Sequence, residues 1–291
     1  MRLLLIVLWA IGSSLVGLGQ SVSEIAPSVV ADTLNTKEFS QKLVRNESKP
    51  YMMWQVKHVS EFIARFNHEA LPGGKKFTDS SRMEYPRDMY LRRLFNEDDV
   101  RFKRTRLGLS SLYSQQVDEF INTVTTHDIK ISSQSPIEAV SKLRVIHHHL
   151  TDTLVVKLRK YYTADSASYW QIVQVKRPQV LRDSQSAACD GLEKQQDLPP
   201  NSHEVNFLPL LRGLSDYRSF CPFMNSDSRL NKDWQCTEAA LRNGTLHIES
   251  VVSTTIYIPI GTEWQLELNE FLYEKENSGW LISNLIQLAH K

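Results

Sequence analysis

With 291 residues, 41% of them hydrophobic and 23% charged, the chain has ordinary globular composition and enough length for one large domain or two smaller ones. Its 34 basic residues stand against 33 acidic ones, a net charge of +1, which excludes a general electrostatic attraction for nucleic acid or an anionic membrane surface. The short basic run of Arg101, Lys103, Arg104 and Arg106 reads as a solvated face.

Arg2 precedes an unbroken apolar run from Leu3 to Ile11, and Gly17 and Gly19 put small residues at the positions a signal peptidase reads. Residues 1–19 therefore read as a secretory signal peptide cut near Gly19-Gln20, and the protein as exported, periplasmic or extracellular. Gly12-Ser13-Ser14 breaks the apolar run well short of the ~18–20 residues that span a bilayer, so no transmembrane segment is expected in the mature chain. Residues 20–50 lack a sustained period and read as a mobile lead-in with one short helix at 37–44.

From 51 to 288 the pattern is that of one folded domain. Val56, Val59, Phe62, Ile63 and Phe66 recur at helical spacing and predict an amphipathic helix over 55–69, ended by Pro72-Gly73-Gly74. After a polar loop, Pro86 opens a second helix to about 95. Leu112, Val117, Phe120, Ile121 and Val124 stripe a third over 116–126, with Ser111 or Ser114 as its cap. Residues 128–132 alternate and predict a short strand, and Pro136 starts a helix or turn through Val145. Residues 151–162 and 169–176 form a hairpin. Residues 177–244 are punctuated by prolines and carry all three cysteines, and read as an insertion, either a surface elaboration pinned by the disulfide, which is the favoured reading, or a segment with a function of its own. The end returns to regularity: 245–258, 263–275 and 280–288 read as three antiparallel strands, turning at Pro259-Ile260-Gly261 and Asn277-Ser278-Gly279.

In an oxidising compartment three cysteines predict one disulfide and one free thiol. Of the three pairings, Cys221 with Cys236 is favoured as the nearest in sequence; the competing reading is that Cys189, Cys221 and Cys236 are all small buried hydrophobes.

Helices first and then a sheet is an α+β order, with the helices on one face. The helix at Val56–Phe66, a later helix, and a closing strand that carries Gly279-Trp280-Leu281-Ile282-Ser283-Asn284 together resemble the nuclear-transport-factor-2-like, or cystatin-like cone, superfamily over roughly 51–288. The resemblance implies N-terminal helices packed on a curved antiparallel sheet. The cone of such a fold holds a small ligand, runs isomerase, dehydratase or hydrolase chemistry, or mediates contacts.

The chemistry-bearing residues do not fall into motifs. His147-His148-His149 places His147 and His149 on one face of an extended chain, as a divalent metal needs, but only Asp152 or the distant His127 offers a third ligand, so a solvated run is the expectation. Asp118, His147, Asp152, Tyr161 and Tyr162 are the acid–base candidates, and no pair has a motif spacing. There is no phosphate loop, His-Glu-x-x-His, Gly-x-Ser-x-Gly or Cys-x-x-Cys. Trp54, Trp170, Trp234, Trp264 and Trp280 form either a carbohydrate platform or, for those inside strands, core. The expected protein is secreted and non-catalytic, with no cofactor, catalytic residue or metal ligand assigned, and binds a small ligand or a protein partner. The alternative is a small-molecule enzyme using an acid–base pocket inside the cone.

Overall fold

The computed structural model describes residues 54–103, 110–165, 167–181, 195–225 and 234–288. The expected signal peptide, the lead-in with its 37–44 helix, and Cys189 lie outside them. Among the described residues are six α-helices, α1 (Val59–Phe66), α2 (Asp79–Glu84), α3 (Arg87–Arg92), α4 (Leu112–Thr126), α5 (Leu208–Tyr217) and α6 (Gln235–Arg242). Six strands, β1 (Glu138–His147), β2 (Leu150–Tyr162), β3 (Ser168–Lys176), β4 (Leu246–Ile260), β5 (Trp264–Phe271) and β6 (Gly279–Gln287), form one open antiparallel sheet in the order β3-β2-β1-β4-β5-β6. The class is α+β.

One sheet face is apolar. Leu143 pairs with Leu154, Ile258 with Leu266, Ile260 with Trp264 and Leu268 with Ile282, and all eight side chains are buried. The other face carries Lys142, Arg144, Lys157 and Arg159 and is wet, the alternation of a sheet covered on one side. Phe62 and Phe66 of α1 and Phe120 of α4 are fully buried, Phe120 edge-on to Trp264 at 5.6 Å, each worth about 1.5–3 kcal/mol of burial.

The described residues of 177–244 are not a surface elaboration. β3 is an edge strand and β4 lies beside β1, so the connection must return across β2 and β1, about 14 Å at normal strand spacing. It does so on the apolar face: Leu198, Phe207, Leu210, Phe220, Met224 and Trp234 join the same core as α1 and α4. Segments from outside the sheet also cover part of each edge, Leu198 bridging Trp170 and Met224 bridging Ile172 on β3, Val56 bridging Gly279 and Phe95 bridging Ile282 on β6. Such cover shortens the open hydrogen-bonding rows through which sheets aggregate.

Two local expectations are overturned. Residues 128–132 form no strand. Ile129 N–H donates to Val124 O at 3.0 Å and Asp128, at φ 45°, donates to Thr125 O at 3.4 Å, so these residues close α4 in a Schellman-type turn. The next backbone groups go to a side chain: Asn67 Oδ1 accepts from Ile131 N–H at 2.8 Å and Asn67 Nδ2 donates to Ile131 O at 3.0 Å. The segment at 136–145 is neither helix nor turn: from Glu138 on it is strand β1. Its inward Ser141 meets the inward Thr254 of β4, hydroxyl to hydroxyl at 3.2 Å, and both are buried. Smaller departures are α2, inside the expected loop, and β4, which runs on through Pro259 to Ile260. The caps and hairpins stand as expected, Ser111 Oγ accepting from Ser114 N–H at 3.0 Å at the start of α4.

Candidate functional site

Between α1 and the last three strands, Val59, Phe62 and Phe66 share one buried cluster with Trp264, Leu266, Leu268 and Trp280. A cavity of about 270 Å³ opens instead beside that core, at the end of the sheet where α1, α3 and the β5–β6 turn meet, lined by Trp54, Arg65, Tyr90, Arg93, Glu97 and Glu276 among others. Chain order explains the meeting: Val56 docks on Gly279, which brings Trp54 beside the turn, and Asn277 ties the turn to α3. Asn277 Nδ2 donates to Arg93 O at 2.9 Å and to Phe95 O at 2.8 Å, while its Oδ1 accepts from Glu97 N–H at 3.2 Å.

Its polar groups differ in how tightly they are held. Arg65 is buried and donates to Glu61 Oε1 at 2.5 Å, Trp54 O at 2.5 Å and Gln55 O at 3.1 Å. Tyr90 donates to Ala70 O at 2.9 Å, and burial pushes its phenol up to about 12, so it stays protonated. Arg93 is looser. Its guanidinium lies 4.2 Å over the Trp54 ring and reaches Glu276 Oε2 only at 3.4 Å, with both side chains substantially exposed. Such an exposed pair contributes about 0–1 kcal/mol and exchanges easily.

The expected acid–base residues do not converge. Asp118 pairs with Arg92 at the rim of a shallow groove between α3 and α4. Asp152 accepts from Val180 N–H at 3.0 Å, Tyr161 Oη accepts from Asn225 Nδ2 at 3.3 Å, and Tyr162 donates to Ser135 O at 3.0 Å. His147 ends β1, and His148 and His149, at φ 45° and 70°, are the two central residues of the β1–β2 hairpin turn, so the three histidines do not run as an extended chain. Among the described residues no three His, Cys, Asp or Glu side chains converge as metal ligands would. Arg101 of the basic run folds inward, bonding Asp99 and Asn284 and lying 4.0 Å over Tyr113.

A second polar cluster joins the start of α1 to the 3₁₀ turn Ser202–Val205. Ser60 Oγ donates to Glu204 Oε1 at 2.8 Å and His58 Nδ1 lies 3.8 Å from Glu204 Oε2. The hydroxyl bonds the carboxylate and not an imidazole, which is not a nucleophile–base arrangement. Behind it His203 packs on Trp170 at 5.3 Å, its pKa pushed down to about 4 by burial and then by Lys160.

The expected Cys221–Cys236 bond is not made. Cys236 is an unbridged, buried thiol whose sulfur accepts from Arg177 Nη1 at 3.3 Å. Cys221 is disulfide-bonded. What pins this part of the chain locally is Glu238, fully buried, which accepts from Ser219 Oγ at 2.6 Å, Phe220 N–H at 2.8 Å and Arg242 Nε at 2.7 Å.

Trp170, Trp234, Trp264 and Trp280 are core, and Trp54 alone among these five tryptophans lines the pocket. Arg93 and Glu276 carried no signal in the sequence, being brought together from distant segments. No protein-family model, curated protein or solved structure matches the chain.

Proposed function

We propose that this is an exported, non-catalytic binding protein of the nuclear-transport-factor-2-like kind, whose ligand seats at the edge pocket walled by Trp54, Arg93 and Glu276 and not inside the cone. The single observation that carries this reading is the contrast in commitment. The groups beneath the sheet are apolar and closely packed, whereas the edge pocket offers an aromatic face with charges that are only loosely paired. The scatter of Asp118, Asp152, Tyr161 and Tyr162 gives the enzymatic alternative no paired acid and base to work with. The cone reading draws on helices covering one face of an antiparallel sheet, on register shifts in β1–β4, β2–β3 and β5–β6 that bend it, and on Gly279-Trp280 opening the last strand. Export draws on the apolar leader at 3–11; no helix among the described residues is long and apolar enough to cross a membrane.

Two measurements test the reading. Thermal unfolding against a panel of carboxylic acids, amines, amino acids, sugars and phosphates should show at least one class raising Tm by several degrees, an effect lost in Trp54→Ala and Arg93→Ala. A panel without effect on the wild type, or shifts indifferent to both substitutions, overturns the pocket. N-terminal sequencing of the exported protein should begin near Gln20, and an intact Met1 overturns the signal peptide.

A further inference from the structure

Resting on the reading that the edge pocket takes a ligand, we propose that the ligand is a small zwitterion, a free α-amino acid with an apolar side chain. Its ammonium would sit between Glu97 and Glu276 and its carboxylate on Arg93.

Only some of the pocket's charges are open to a ligand. Arg65 lines the pocket but its guanidinium is held by Glu61 and by two backbone carbonyls, so it supplies a rigid wall and, with Glu61, little net charge. Three charges remain. Arg93 lies 4.2 Å over the Trp54 ring, and its guanidinium donates to one carboxylate at 3.4 Å, beyond the 2.7–3.2 Å of a well-formed bond. Glu276 has that bond alone, and the Glu97 carboxylate has no hydrogen-bond or ion-pair partner among the described residues. The backbone of Glu97 is nevertheless fixed, through Asn277, to the same turn that carries Glu276.

One cation and two anions around one cavity select against singly charged ligands. A carboxylic acid would gain Arg93 but face two carboxylates, and an amine would gain the carboxylates but, in taking Glu276, leave the Arg93 guanidinium without an anion. A molecule bearing both signs satisfies each group in turn, its ammonium replacing Arg93 at Glu276 and its carboxylate taking the freed guanidinium donors. Asn277 is committed to the turn through its bonds to Arg93 O, Phe95 O and Glu97 N–H, and the remaining lining, Trp54, Tyr90 and Leu94, is aromatic and aliphatic and suits an apolar side chain. At about 270 Å³ the cavity lies just below the ~300–1,000 Å³ of sites for drug-sized molecules, which fits a ligand of amino-acid size.

The test is calorimetric titration of the purified full chain with L-leucine and L-phenylalanine, each beside its N-acetyl derivative, which lacks the ammonium, and its amide, which lacks the carboxylate. The free amino acids should bind at least tenfold more tightly than either blocked form. Glu97→Gln and Arg93→Gln should each weaken binding at least tenfold while shifting the Tm of the unliganded protein by no more than a few degrees. Blocked forms that bind as tightly as the free ones, with Trp54→Ala abolishing both, overturn the zwitterion while leaving the pocket standing. The zwitterion also falls, and the pocket stands, if neither amino acid binds but another class does so through Trp54. If no compound of any class binds, both the zwitterion and the pocket fall.

Discussion

Gly279 lies against the backbone of Val56 so closely that a Cβ on it would sit 2.0 Å from the Val56 carbonyl oxygen. That carbonyl accepts from Trp280 N–H at 2.8 Å, Val56 N–H donates to Ser278 O at 3.0 Å, and Gly279 itself is at φ 86°. Gly279→Ala therefore meets immovable backbone as well as an unfavourable φ, and is expected to cost about 2 kcal/mol or more. Gly74→Ala is the control: Gly74 is at φ 76° with nothing within 4 Å, so it pays for φ alone, about 1 kcal/mol. Urea unfolding midpoints decide, and equal losses at the two sites would refute the close-contact account.

His203 gives the fold an acid-sensitive element. Burial and the neighbouring Lys160 hold its folded pKa at about 4, below 6.5, while Glu204 and a backbone hydrogen bond with Pro200 pull the other way and His58 adds a weaker depression. A base with a depressed folded pKa takes up its proton more readily when unfolded. Its contribution is therefore complete above pH 6.5 and is lost as pH falls from 6.5 towards 4, by about 3 kcal/mol at most. The unpartnered, buried Nδ1 means that His203→Leu sacrifices no hydrogen bond from that atom. Chemical denaturation at pH 7 and pH 4 should show a smaller difference for His203→Leu than for the wild type, and identical pH dependence would exclude this role.

The hairpin joining β1 to β2 turns on two histidines at positive φ, where Asn-Gly is the favoured pair. Replacing both, His148→Asn with His149→Gly, should raise stability by about 1 kcal/mol, seen as a higher Tm. A fall in Tm would mean that the imidazoles, whose rings at 147 and 148 stand 4.3 Å apart, make contacts worth more than the strain they cause.

Cys236 should be the thiol that reacts. Alkylation of the unfolded protein without reductant is expected to modify Cys236 and not Cys221, and peptide mapping reads this directly. In the folded protein Cys236 is buried, so labelling should be slow until denaturant is added. Label on Cys221 before reduction would contradict its bonded state.

The elements that sequence alone revealed are those whose signal is local. The stripe of Val117, Phe120, Ile121 and Val124 is one face of one helix, and the last three strands alternate within themselves. Strand β1 was hidden because the inward position at Ser141 is polar, and its polarity makes sense only opposite Thr254. Residues 128–132 looked like a strand because their alternation is real, yet their backbone partners are the Asn67 side chain and the end of α4. The pocket was invisible for the same reason: Arg93 and Glu276 are joined through a fold, not a motif, and the tryptophan that serves them precedes the first helix. The inserted segment misled most, since proline-rich chain reads as surface whether or not the strand order forces it across the core.

That strand order also sets the sequence of events in folding. The two three-stranded meanders are built from near neighbours, but the seam that joins them, β1 to β4, pairs Ser141 with Thr254 across 113 residues. A high-contact-order seam at the centre of a sheet forms late and slowly. Until it does, a nascent chain that ends near Lys176 presents Leu143, Leu154, Val156 and Leu158 with α1 and α4 as their cover but without Phe207, Leu210, Phe220 and β4, an incompletely covered apolar row for chaperones to hold.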